Sequence, residues 1–376
     1  MGHTVYSNDF HVALATKWYQ ALTAKQSKIR SITIKKLTMY QKVVIVNSVI
    51  LSKLWYIAHI YPLPMLTAKK INKEIYEYVW GMKNNPINRH TLSLPRENGG
   101  LGLNNVVIKA KCILSNTFLK AYNSPYTIKF MMYYYNIIRT GPLFNSSVHL
   151  NKVHYVGTQY YIQIIETIVK CLHIPKFPDI NSKTMYLYLM PKDKPKIEEM
   201  YDSSIFRWSS MWKCISFKYI HVKEREIIFK YMHEFLPTRK RLGMISQGEV
   251  TSECKFCGAE ESNIHFTYQC IYYKPVIEWF KELVFKCCNF NPNMIKILMF
   301  DISNVNTQER NTCIILVSTF ICNIWQARRL DLPPMVAIKL IKDKILYNKK
   351  INQNRSKNKF LLFFTEAYSK LKQGNF

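Results

Sequence analysis

The sequence predicts a mainly α-helical fold, with a helical N-terminal domain, an irregular connector and a small zinc-binding module flanked by helices. Three observations lead to this prediction. Apolar residues recur at helical spacing in several stretches. Three cysteines and one histidine are spaced as zinc ligands are between residues 254 and 270. The 376 residues are also enough for two or three domains with cores of their own.

The first predicted helix follows Thr38, a residue type typical of helix N-terminal caps. Apolar residues then recur every three or four positions, at Val43, Val46, Ile50, Leu54 and Ile57. Pro62 and Pro64 end the predicted helix. A second helix is predicted over residues 67–80. A short extended stretch at 87–95 and a glycine-rich turn at 99–103 lead to a third helix over 104–122.

The connector is predicted from prolines and asparagines that interrupt the chain after the third helix. Helical patterns resume further on, at residues 224–236, 275–288, 308–329 and 335–348. The resulting division has four parts: a helical domain over 1–125, the connector over 126–200, a zinc-binding domain over 201–290 and a helical, basic tail over 291–376.

The charge balance points to a polyanionic partner. Lysine and arginine number 53 against 24 aspartates and glutamates, a net charge of +29. Such an excess favours nucleic acid or an anionic membrane surface. The membrane alternative is weaker, because polar residues break the apolar run at 43–54 and the run at 313–325 is shorter than the roughly 20 residues of a span. The N-terminus also lacks the order of a signal peptide, so we expect an intracellular protein without a membrane partner.

The ten cysteines are expected to be metal ligands or free thiols, because disulfides are rare in intracellular chains. Six of them lie among apolar neighbours and are predicted to be buried free thiols: Cys112, Cys171, Cys214, Cys287, Cys313 and Cys322.

A zinc site is predicted from the pattern C-x2-C-x7-H-x4-C, formed by Cys254, Cys257, His265 and Cys270. The first spacing lets two thiolates bind from one tight turn, and Gly258 supplies the backbone freedom that this turn needs. The last spacing places the imidazole and the final thiolate about one helical turn apart. Four protein ligands leave no position for a reactive water, so we expect a structural Zn²⁺.

Two further passages carry a more specific pattern. They comprise residues 37–56 with Pro62, Pro64, Trp80, 89–95 and 99–103, and residues 235–242 followed by the zinc-ligand pattern. In this order they resemble the thumb segment and the zinc-binding domain near the C-terminus of LINE-type (non-LTR) retrotransposon reverse transcriptases. The resemblance covers roughly residues 17–280. It implies a thumb-like N-terminal domain, nucleic-acid handling and the remainder of such a polyprotein as a candidate partner. Of the two intracellular locations that stay open, nucleus and cytoplasm, it favours the nucleus.

Catalytic activity does not follow from this resemblance. The polymerases of that family hold their metal ions on adjacent aspartates in a Tyr/Phe-x-Asp-Asp turn, and this chain contains no Asp-Asp pair. The fingers, palm and endonuclease of the family have no counterpart in this sequence. We therefore expect a stand-alone or truncated C-terminal piece that binds without being an enzyme.

The expected partner is RNA or DNA, held mainly through its backbone, because a thumb grips the template–primer duplex with basic residues on one helical side. The candidate contacts are Lys69, Lys70, Lys73 and Arg89 in the thumb-like part, and Arg239, Lys240, Arg241, Lys255 and Phe256 around the zinc site. Two alternatives stay open. Phe256 either stacks on a base or packs in the core, and the whole chain is alternatively a protein-interaction adaptor retained by the host, whose charge only aids solubility.

Overall fold

The computed structural model describes residues 37–81, 87–122, 180–201, 205–288, 293–302, 305 and 307–355, with a few positions between 164 and 174. Within these ranges the regular structure is helical, which confirms the predicted mainly α fold. The single β-type pairing that they contain is an isolated bridge between Glu253 and Glu260. The parts of the predicted domains at 1–36, 126–163 and 356–376 lie outside the described residues.

The chain divides into two compact units. Unit 1 comprises the described residues within Met1–Leu94 and Gly102–Asp193, and unit 2 comprises those within Pro95–Leu101 and Lys194–Phe376. The four-part division from the sequence stays a prediction.

The first helix within the described residues of unit 1 begins where the sequence predicts it. Thr38 and Gln41 form a reciprocal cap. The backbone N–H of Gln41 donates to the Thr38 hydroxyl, and the backbone N–H of Thr38 donates to the Gln41 amide oxygen at 2.9 Å. Helix α1 then spans Met39–Ile45. The cap satisfies backbone donors that the first helical turn leaves without a partner.

The continuous helix predicted after Thr38 is interrupted by a π-helical turn at Val46–Ile50, and α2 follows at Leu51–Ala58. This turn places Asn47 against the glycine-rich segment. The Asn47 amide donates to the Gly102 carbonyl at 2.8 Å and accepts from the Asn104 backbone N–H at 3.0 Å. The inserted turn thus fixes the backbone that leads into the next long helix.

Helix α3 spans Met65–Trp80, two residues earlier at its start than predicted. Pro64 precedes it in an extended conformation, and Gly81 ends it with φ +73°. Its apolar stripe faces the core, with Ile71, Ile75 and Val79 all buried. The helical period of the sequence therefore assigned the faces of α3 as the structure has them.

The extended stretch predicted at 87–95 is wrong, because residues Arg89–Ser93 form a short helix, α4. Asn88 caps it by accepting the backbone N–H of His90 at 3.1 Å, and Leu92 is buried inside the unit. A helix of five residues is too short for apolar residues to recur at helical spacing. The cap residue Asn88 is therefore the sequence feature that indicates this helix.

Two more helices of unit 1 have described bounds: α5 spans Val106–Tyr122 and α6 spans Ser182–Leu189. They are joined where the backbone N–H of Asn105 donates to the Tyr186 hydroxyl at 2.9 Å. Helix α6 lies inside the predicted connector, and so does α7 of unit 2, at Lys196–Met200.

The glycine-rich turn is confirmed as a tight turn. A 3-10 turn at Arg96–Asn98 ends at Gly99, whose φ is +80°. A Cβ atom at this position would lie 2.7 Å from side-chain atoms of both Pro195 and Trp212. The carbonyl of Gly99 accepts a hydrogen bond from Nε2 of His233 at 2.9 Å. Glycine is required here both for the backbone angle and for space.

The remaining helices of unit 2 are α8 Trp208–Ile215, α9 Val222–Met232, α10 Arg239–Ile245, α11 Lys274–Cys288, α12 Met294–Leu298, α13 Thr307–Arg329 and α14 Pro334–Arg355. Every residue of α13 from 312 to 325 is buried, because α9, α11 and α14 pack against it. At its centre the rings of Phe280 and Phe320 stack with centroids 3.9 Å apart. The apolar run at 313–325 is thus the core helix of unit 2.

The six cysteines predicted to be buried free thiols are buried and none of the six is in a disulfide bond, which confirms that prediction. None of the helices in the described ranges combines the length and the apolar character that a membrane span requires.

Candidate metal centre

The first two candidate ligands lie in a tight turn of the backbone. The Cys254 backbone N–H donates to the Ala259 carbonyl at 2.6 Å, and that of Gly258 donates to the Cys254 carbonyl at 2.8 Å. Gly258 has φ +77°, a left-handed backbone conformation that residues with a side chain rarely adopt. A Cβ atom at this position would have no atom within 4 Å. The backbone angle alone therefore explains the glycine. The turn directs the thiols of Cys254 and Cys257 to the same side.

The other two ligands come from the ends of a π-helical turn at His265–Gln269. The Cys270 backbone N–H donates to the His265 carbonyl at 2.8 Å, which closes the turn. At its start, the His265 backbone N–H donates to the Ser262 hydroxyl at 3.1 Å. This wider turn brings an imidazole and a thiol that are five residues apart in sequence onto one face.

The four ligand atoms of Cys254, Cys257, His265 and Cys270 all lie within 4.8 Å of one another. Nε2 of His265 is 3.3 Å from the Cys257 sulfur, and the Cys257 and Cys270 sulfurs are 3.9 Å apart. Tetrahedral zinc with ordinary bond lengths would place such pairs about 3.6 and 3.8 Å apart. The cluster therefore has the dimensions of a four-ligand metal site.

Burial sets the protonation chemistry of this cluster. Cys254, His265 and Cys270 are 3%, 4% and 1% exposed. Burial raises the pKa of the Cys270 thiol to about 12, and it lowers the pKa of His265. Without a metal, burial therefore disfavours the charged forms of Cys270 and His265. A bound cation would reverse this for the thiols, because metal binding requires thiolates and displaces their protons.

The centre of the ligand loop is held by a buried carboxylate that the sequence did not assign to the site. Glu261 is fully buried, and both of its oxygens contact the guanidinium of Arg328. The Arg328 Nε–H donates to Glu261 Oε2 at 2.6 Å. The backbone N–H of Arg239, at the start of α10, donates to Glu261 Oε1 at 2.7 Å. The carboxylate is thus fully hydrogen-bonded, as a buried charge requires.

Among the predicted nucleic-acid contacts around the zinc site, three cations have partners within the protein. Lys240 pairs with Glu260 at 2.8 Å. Lys255 pairs with Asp331. Arg241 donates to the Glu234 carbonyl at 2.9 Å and lies 4.3 Å from the Phe235 ring centroid, and burial lowers its pKa. Arg239 is partly exposed at the start of α10.

Phe256 packs against the module that contains it. Its ring stacks on Tyr272, with centroids 4.7 Å apart and the planes 9° from parallel, and meets the edge of Tyr273 at 5.5 Å. The Lys255 ammonium lies 5.1 Å from the same ring. One face of Phe256 is therefore occupied by Tyr272, which favours core packing over base stacking.

The thumb-like candidates have a different environment. Lys69, Lys70 and Lys73 are exposed on one side of α3, opposite its buried stripe. Arg89 is exposed at the start of α4, with its guanidinium 5.1 Å from the ring centroid of Tyr76. These residues belong to unit 1, whereas the metal cluster belongs to unit 2.

No protein-family model matches the chain, and no significant match was found among curated proteins. The resemblance to retrotransposon reverse transcriptases therefore stays a prediction. The metal-binding cluster depends only on its own geometry. Neither Glu261 nor Arg328 is predicted as a site residue from the sequence, because a partner 67 residues away leaves no local pattern.

Proposed function

We propose that this chain is a zinc- and nucleic-acid-binding protein, the C-terminal fragment of a non-LTR retrotransposon reverse transcriptase, without polymerase or endonuclease activity of its own. The metal cluster in unit 2 is the observation that carries the zinc assignment. Three thiols and one imidazole form the nitrogen and sulfur set that zinc prefers. Four protein ligands leave no open position, so the metal stabilises the fold.

The nucleic-acid assignment is supported by charge. The net charge is +29, and residues 10–73 contain many lysines but no aspartate or glutamate. The exposed lysines of α3, at positions 69, 70 and 73, present this charge on a helix whose other side is buried. Such a face suits the phosphate backbone, where contacts position a nucleic acid without reading its sequence.

A protein-interaction adaptor is the second candidate, and α10 favours it. Three cations beside the metal cluster, Lys240, Arg241 and Lys255, have protein partners. Met244 and Ile245, at the end of α10, are instead each 66% exposed. Exposed apolar residues next to an ordered module are more typical of protein docking than of phosphate binding.

A salt titration separates the two candidates. Fluorescence anisotropy of labelled RNA and DNA oligonucleotides measures the affinity of the full chain between about 50 and 200 mM salt. We expect the affinity to fall by at least about 100-fold over this range if several phosphates are contacted. Affinity that does not change with salt, or no binding at low salt, would favour the adaptor. Polymerase or nuclease activity in the purified chain would contradict the binding-only assignment.

A further inference from the structure

The metal-ligand loop and the end of the central helix of unit 2 are joined by a buried ion pair. Glu261 lies between the two halves of the ligand pattern, and Arg328 lies in the last turn of α13. Glu261 is fully buried and Arg328 is 7% exposed. The two side chains are in contact through both carboxylate oxygens. This bidentate geometry fixes the direction of the carboxylate as well as its distance.

Glu261 also holds the loop through its main chain. Its backbone N–H donates to the Ser252 carbonyl at 2.9 Å, and its carbonyl accepts from the Lys240 backbone N–H at 3.2 Å. Its side chain accepts from the Arg239 backbone N–H. Glu261 therefore connects the ligand loop to Ser252, just before the first ligand, to the start of α10 and to the end of α13.

Further contacts join the same two parts. The Tyr273 hydroxyl donates to the Leu332 carbonyl at 3.0 Å, just after α13. The Phe266 ring, next to His265, lies 5.2 Å from the ring of Trp325. Arg328 itself lies 5.1 Å from the Trp325 ring centroid. These contacts join the ligand loop and the residue Tyr273 after it to the last turns of α13 and to the segment that follows α13.

We propose that Glu261 and Arg328 are a positioning pair for the metal centre, which couples metal binding to the docking of the C-terminal end of α13. The proposal rests on the proposed zinc site. Removing either partner leaves an uncompensated buried charge where the ligand loop meets the end of α13, whereas removing both leaves none. Groups that orient metal ligands in this way change metal affinity by about 10- to 100-fold.

Coupling of this kind acts in both directions. If an ordered end of α13 increases metal affinity, bound metal must order the end of α13 by the same factor. A purely local site would lose order only at residues 250–275 when the metal is removed. Coupling would extend the loss of order to residues 325–332. Helix α3 in unit 1 serves as a reference segment that contains no residue of the cluster.

The test measures zinc affinity of the full chain by competition with a chromophoric chelator. We expect Arg328→Met and Glu261→Gln each to weaken zinc binding by about 10- to 100-fold. The double variant should bind more tightly than the product of the two single effects implies. Tyr273→Phe is the matched control, since it removes a hydrogen bond between the same parts and leaves the ion pair intact; its affinity should stay within about twofold of the wild type.

Hydrogen exchange of the wild-type chain, with and without zinc, keeps the proposal testable if a variant does not fold. We expect chelation to accelerate exchange at residues 325–332 together with the ligand loop, and to leave α3 unchanged. Unchanged exchange at 325–332, or wild-type affinity in folded Arg328→Met, would overturn the coupling while leaving the zinc site in place. A wild-type chain that binds no zinc would instead overturn the proposed function.

Discussion

The basic face of α3 and the basic residues around the metal cluster have similar composition and opposite surroundings. On α3, Lys69, Lys70 and Lys73 are exposed side by side on a regular helix. Around the metal cluster, Lys240 and Lys255 pair with carboxylates of the same unit, and Arg241 donates to a backbone carbonyl. Basic residues in this chain are therefore either exposed on a helix surface or paired within the protein, and the sequence alone does not distinguish the two.

The difference follows from local structure. Helix α3 has one buried stripe, so the period of the sequence decides which side its lysines occupy. The basic residues around the metal cluster lie in the short helix α10 and in the ligand loop, where packing brings them next to groups from other parts of the chain, such as Asp331 beside Lys255. We therefore expect nucleic-acid affinity to depend mainly on α3 and stability to depend mainly on the module.

The largest expected effect of the substitutions below is on unfolding free energy, at a glycine packed against other residues. One glycine in each unit allows the comparison. Both Gly99 in unit 2 and Gly102 in unit 1 have positive φ. A Cβ atom would collide with Pro195 and Trp212 at the first position and meet nothing at the second. We expect Gly99→Ala to cost about 3 kcal/mol and Gly102→Ala about 1 kcal/mol of unfolding free energy.

Urea unfolding followed by tryptophan fluorescence measures both variants. Equal costs at the two positions would show that the backbone angle, rather than the contact with Trp212, accounts for Gly99.

The next effect is on nucleic-acid binding. Neutralising α3 by Lys69→Gln, Lys70→Gln and Lys73→Gln together should weaken binding to an oligonucleotide by about 10- to 100-fold and reduce the salt dependence by about three counterions. Because these side chains are exposed, the thermal unfolding temperature should change little. Anisotropy titrations at several salt concentrations provide the measurement.

The matched control neutralises the module instead, through Lys240→Gln, Arg241→Gln and Lys255→Gln. These side chains have partners within unit 2, so we expect a lower unfolding temperature and a smaller loss of affinity than in the α3 variant. The reverse order of affinities would place the nucleic-acid surface on the metal module.

The last effect is a pH dependence in unit 2. Burial against Trp212 and Phe229 lowers the pKa of His233 to about 4, from about 6.5 in an unfolded chain. As the pH falls below 6.5, the unfolded state takes up the proton first, so stability declines until about pH 4 and then levels off. The difference between the two pKa values corresponds to about 3 kcal/mol at most.

The control for this effect is His233→Gln, which keeps a donor for the Gly99 carbonyl and does not titrate between pH 7 and 4. The difference in unfolding free energy between wild type and variant should decrease across that range. A difference that is constant with pH would contradict a neutral buried imidazole.

The sequence was informative where a short pattern determines the structure. The metal-binding group follows from the spacing of Cys254, Cys257, His265 and Cys270, because each pair of ligands comes from a single turn. The start of α1 follows from Thr38, whose cap involves only the residues after it. The exposed side of α3 follows from helical periodicity. In these cases the partners are close in sequence, so local composition was sufficient.

It was not informative where the determining contact is distant in sequence. The Glu261–Arg328 pair joins residues 67 positions apart, and the stacking of Phe256 on Tyr272 depends on how the loop closes. The π-turn within the first helix is fixed by Asn47 and its contacts near Gly102. Such features arise from tertiary packing, which overrides local preference. The helix at Arg89–Ser93 was predicted wrongly because it is too short to show a period.

Zinc content tests the central claim most directly. Elemental analysis of the purified full chain should find one equivalent of zinc in the wild type, and Cys254→Ser and His265→Ala should each lose stoichiometric zinc because tetrahedral coordination needs all four ligands. Cys214→Ser, a buried cysteine outside the cluster, is the matched control and should retain the full equivalent. A full equivalent of zinc in Cys254→Ser or His265→Ala, or none in the wild type, would contradict the account.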